Sequence, residues 1–63
     1  MNAPGMFVCV RPARAPLSAE NTDAARALSV TLHSRLRWVN NLTGAVVYTY
    51  ADGTMRRGKG ARP

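Results

Sequence analysis

The side chains of this 63-residue chain that could do chemistry are mostly arginines. Eight of its nine cationic residues are arginine and only three residues are carboxylates, which leaves a formal net charge of +6 and a sequence pI near 11.2. A guanidinium presents a planar fork of donors that pairs two at a time with phosphate or carboxylate oxygens, whereas charge carried for solubility alone is usually lysine. The balance points to an anionic partner, either nucleic acid (DNA or RNA) or the acidic surface of a protein. The plain alternative is genome composition, since Ala, Arg, Gly and Pro all have GC-rich codons.

Three groupings carry that expectation. Arg56, Arg57, Lys59 and Arg62 are interleaved with Gly58 and Gly60 near the C-terminus, a pattern suited to following phosphates regardless of base sequence. Arg35 and Arg37 bracket a position beside Trp38; on a strand the two arginines would share one face and the tryptophan would take the other. Tyr48 and Tyr50 lie two apart in a β-rich run and share a face with Val46, where their rings would either stack on bases or pack in a core. Each grouping has a bland counterpart: a solvated tail, a solvated strand face, an ordinary core.

Catalysis has little to work with. His33 is the only side chain expected to act as a base near neutral pH, and Cys9 is the only thiol. A Cys9–His33 nucleophilic pair would need hydrogen-bond contact, a third orienting group and an enclosing pocket. Cys9 instead sits within the apolar run Met6–Val10 and reads as a small buried hydrophobe. One cysteine and one histidine can build neither an internal disulfide nor a closed zinc site, and the five glycines form neither common phosphate-binding loop. The chain is expected to be non-enzymatic, with no catalytic residue, metal or cofactor.

The elements that must position these residues are legible in part. Met6–Val10 reads as a short buried strand, and Arg11–Pro16, with its two prolines, as a linker or arm. An alanine-rich helix is expected to start at Ser18 or Thr22, with Glu20 and Asp23 near its start, and to run to about Leu28. Residues 29–39 fit two periods at once: a helical stripe through Leu28, Leu32 and Leu36, and a strand alternation. Their β-branched and aromatic content favours a strand. Asn40–Gly44 reads as a turn, Ala45–Tyr50 as a strand, and Asp52–Gly53 as the turn of a hairpin returning through Thr54–Arg57.

The expected fold class is α+β: a small single domain over residues 1–57, one helix packed on an antiparallel β-meander, followed by a flexible basic tail over 58–63. A mostly-β miniature barrel is the alternative. No apolar run reaches the roughly 18 residues a membrane span needs, and the N-terminus lacks the pattern of a secretory signal, so a cytoplasmic chain with no membrane partner is expected. A domain this small is marginally stable alone, which makes a homodimer or a stabilising partner a natural expectation.

Overall fold

The computed structural model describes residues 6–58. In chain order its elements are β1 (Phe7–Cys9), β2 (Leu17–Ala19), α1 (Thr22–Leu32), β3 (Leu36–Asn40), β4 (Val46–Thr49) and β5 (Met55–Arg57). The strands form one antiparallel sheet in the order β2-β1-β3-β4-β5, and α1 packs on one face of it. Since β2 and β3 both run antiparallel to β1, they are parallel to each other. A parallel pair needs a crossover connection, and α1 supplies it. The fold is therefore α+β, one helix on an antiparallel sheet. The barrel geometry is not adopted, because β2 and β5 each have a sheet neighbour on one side only.

Of the two expected starts the helix takes Thr22, and it ends one turn beyond Leu28. Asn21 sets the start: its backbone is extended and its side chain accepts the Ala24 N–H at 2.9 Å, satisfying a donor that the first turn cannot. Ser18 is left to β2, where it pairs with Val8. Arg11–Pro16, expected as a linker or arm, is the connection of the β1–β2 hairpin, and the Arg11 guanidinium holds it by donating twice to the Ala15 carbonyl. At the other end, His33 takes the left-handed conformation with φ 53°. Its N–H reaches the Val30 carbonyl and the Ser34 N–H reaches that of Ser29, the paired bonds of a Schellman closure.

The stretch Ser29–Val30–Thr31, expected as strand, is helical because Ser29 is committed to the core. It lies four residues after Ala25 on the buried side of α1, and its hydroxyl is hydrogen-bonded to that of Thr49 on β4. A tertiary contact of this kind outweighs β-propensities of a few tenths of a kcal/mol per residue. Thr49 also accepts the indole N–H of Trp38 at 2.8 Å. Trp38, Thr49 and Ser29 are the largest fully buried side chains, surrounded by Cys9, Ala19, Ala25 and Leu36 with Phe7, Leu17, Ala24 and Leu28 at the margin.

Two turns complete the sheet. Asn40 accepts the N–H groups of Leu42 and Thr43 with its side-chain oxygen, and Gly44, at φ 77°, closes back to the Asn40 carbonyl. In the β4–β5 hairpin, Gly53 at φ 88° donates to the Tyr50 carbonyl while Tyr50 donates to that of Thr54. A left-handed residue is needed there to restore the strand twist after the turn, and glycine takes it without steric cost.

Candidate nucleic-acid interface

Residues paired across antiparallel strands point to the same face. Thr49, bonded to the helix, fixes Leu36, Trp38, Val47 and Thr49 as the covered side. The opposite side carries Arg37, Tyr48 and Arg56, where Tyr48 pairs with Arg37 across β3 and with Arg56 across β5. Beside that row runs a second one, Ser18–Val8–Val39–Val46. Among the described residues no element covers this face. It therefore presents a half-buried aromatic ring between two exposed guanidinium groups, next to the half-buried Val8 and Val39.

The tyrosine ring is held by what lies beneath it. A Cβ added to Gly58 would come within 2.6 Å of the ring of Tyr48 and 2.9 Å of the Val46 side chain, so the ring lies where any other residue would put its side chain. Gly58 itself is kept in place by its N–H bond to the Val46 carbonyl at 2.9 Å. Val46, only 3% exposed, is sheltered on the otherwise open side, and Tyr48 is half-buried.

The charge on this face is unpaired. Among the described residues the ion pair is Arg26 with Asp23, 3.6 Å apart on the outer surface of α1. Glu20 and Asp23 sit around the helix start, and Asp52 sits in the β4–β5 turn. There Asp52 accepts from both the hydroxyl and the N–H of Thr54, and the hydroxyl bond first, then the backbone bond, lowers its pKa below the ordinary 3.8. No carboxylate falls in the Arg37–Tyr48–Arg56 row.

The structure gathers some of the expected contact residues and separates others. Arg37, Tyr48 and Arg56 come together, and Tyr50 continues β4 on the same side, half-buried at the hairpin. Trp38 is 0% exposed and belongs to the core, so it has no surface to offer a partner. Arg57 pairs with Val47 and turns to the helix side, beside Met55 at the sheet edge. Arg35, just ahead of β3, lines a separate depression with Arg11 and Arg14. Lys59 and Arg62, like most of the expected 58–63 tail, lie outside the described residues, while Gly58 continues the sheet ladder.

Sequence reading passed over Val8, Val39 and Gly58 as parts of this face. Their place depends on a strand register that only the folded sheet defines, although glycine two residues after Arg56 was a usable signal of a close approach. Cys9 is 2% exposed in the core and His33 is an exposed helix cap, so the pair has no shared pocket. No helix among the described residues is long and apolar enough to cross a membrane. Compared with family models, with curated proteins and with solved structures, the chain matches none.

Proposed function

We propose that this protein is a non-enzymatic basic module that binds nucleic acid across the open face of its sheet, working in the cytoplasm without a cofactor. The observation that carries the reading is the cross-strand row Arg37–Tyr48–Arg56. A base has a π-face whatever its identity, so the open part of one half-buried ring can stack on it, and flanking guanidinium groups can pair with the phosphates on either side. A single strand suits this arrangement better than a duplex, because stacking requires an unpaired, splayed base. Val8 and Val39 beside the row favour the sugar and base edges of the same strand over bulk water. Arg57, Lys59 and Arg62 supply further charge to the same partner.

Fluorescence anisotropy with a labelled single-stranded oligonucleotide and its duplex tests this directly. Tyr48→Leu is expected to weaken single-strand binding by about 1–3 kcal/mol, the usual worth of one stacked base. Arg37→Gln and Arg56→Gln each remove a phosphate contact and reduce the salt slope by about one unit or slightly less. Variants that bind as tightly as the parent would defeat the reading. A protein that copurifies in fixed stoichiometry after nuclease treatment at high salt would replace it with an acidic-protein partner, whose affinity would survive truncation after Arg57.

A further inference from the structure

The β1–β2 connection and the end of α1 enclose a second cationic feature. An open depression of about 400 Å³ is lined by Arg11, Arg14 and Arg35, with Leu32, Ser34 and Leu36 forming much of the remaining wall. No carboxylate contributes to it, and among the described residues none of these arginines is in an ion pair. Three guanidinium groups facing one space repel one another unless an anion joins them. The carbonyl end of α1 lies at the rim and opposes negative charge, so the arginines alone would have to hold an anion here.

The connection is built rather than loose. Arg11 donates through Nε (3.3 Å) and Nη2 (2.8 Å) to the Ala15 carbonyl, which fixes its guanidinium plane while leaving other donors free. Ala13, between Arg11 and Arg14, is held at φ 59° although it is not glycine. That conformation costs about 1–2 kcal/mol, and such strain persists only where the surroundings impose it. Pro12 and Pro16 stiffen the same segment.

We infer that Arg11, Arg14 and Arg35 form a binding site for a phosphate monoester, the terminal phosphate of a nucleic-acid strand being its source. A terminal phosphate carries close to two charges and three free oxygens at neutral pH, an internal phosphodiester one charge and two oxygens. Three guanidinium groups lining one depression, Arg11 with the donors that Ala15 leaves free, match the former. Arg35 lies two residues before Arg37 on the same strand path, so the depression adjoins the end of β3 nearest Arg37. The choice of a strand end as the source rests on the proposed function; the affinity of the pocket for phosphate does not.

The test uses the full chain and two probes. Inorganic phosphate, titrated against potassium chloride of equal ionic strength and followed by amide NMR, is expected to shift the signals of residues 11–15 and 34–36 saturably and to leave those around Arg56 unmoved. A 5′- or 3′-phosphorylated oligonucleotide is then expected to bind at least about ten-fold tighter than the unphosphorylated one, the gain of one charge-assisted bond. Arg14→Gln and Arg35→Gln, both at exposed positions, should abolish that gain while Tyr48→Leu preserves it, with thermal unfolding confirming that each variant folds. Phosphate shifts spread evenly over all arginines, or an oligonucleotide indifferent to its terminal phosphate, would overturn the site. Saturable phosphate binding at 11–15 without any oligonucleotide binding would keep the pocket and remove the nucleic-acid reading, leaving a free phosphomonoester as its ligand.

Discussion

Thr49 ties the helix to the sheet through one hydroxyl, which is bonded to Ser29 and accepts from the Trp38 indole. Replacing it with valine keeps the volume and strands two buried polar groups, so Thr49→Val is expected to lower unfolding free energy by about 2–4 kcal/mol, measured by denaturant titration. The double variant Ser29→Ala/Thr49→Val removes one stranded group and should recover part of that loss. Asp52 makes a smaller contribution with a defined pH dependence. Its two bonds from Thr54 favour the carboxylate and lower the pKa below 3.8 in the folded chain. The contribution is therefore complete above that ordinary value and disappears as pH falls through the lower folded one. The difference in melting temperature between the parent and Asp52→Ala should be constant from pH 7 to about 5 and shrink toward pH 2; a difference that grows on acidification would contradict it.

The elements show where local sequence signals hold and where they yield. Met6–Val10, Ala45–Tyr50 and the Asp52–Gly53 hairpin were legible because apolar, β-rich runs and the turn chemistry bounding them point to the same answer. The helix was legible in existence and in its Thr22 start, one of the two expected, but not in its end, since the core contact of Ser29 has no local signature. The strand Leu17–Ala19 was hidden because three residues directly after Pro16 carry no period of their own and exist only by pairing with β1. His33 offers a test at this scale. It closes α1 in a left-handed conformation that favours glycine, so His33→Gly should stabilise by about 0.5 kcal/mol, the relieved strain being partly offset by unfolded-state entropy. His33→Val should destabilise by at least about 1 kcal/mol, since β-branched residues tolerate that conformation worst. Thermal unfolding of the pair reads both.

At the scale of the whole molecule, the described arginines form two groups, with Arg26 apart on the outer surface of α1 and Arg57 on the helix side of the sheet edge. Two of the three carboxylates cluster at the start of α1, while Arg11, Arg14 and Arg35 gather at its far end and Arg37 and Arg56 occupy the open face. The sequence placed Arg35 with Arg37, and Tyr48 with Tyr50 and Val46, each on one face of its own strand, because period two is local. It could not predict that Arg56 would arrive beside Tyr48 from another strand, nor that Arg11 and Arg14, within an apparent linker, would meet Arg35. Both depend on register and topology. The proposed role also makes stability depend on the partner: a saturating oligonucleotide should raise the melting temperature, as any ligand selective for the folded state does.

The most direct test of the proposed role is affinity for a single-stranded oligonucleotide as a function of salt. With three to five phosphates neutralised, log affinity should fall against log salt with a slope of about −2 to −3.5, or about −3 to −4 on duplex. That slope should become shallower by more than one unit in the Arg37→Gln/Arg56→Gln double variant. Affinity unchanged between about 50 and 200 mM salt, or a slope indifferent to those two arginines, would contradict the account.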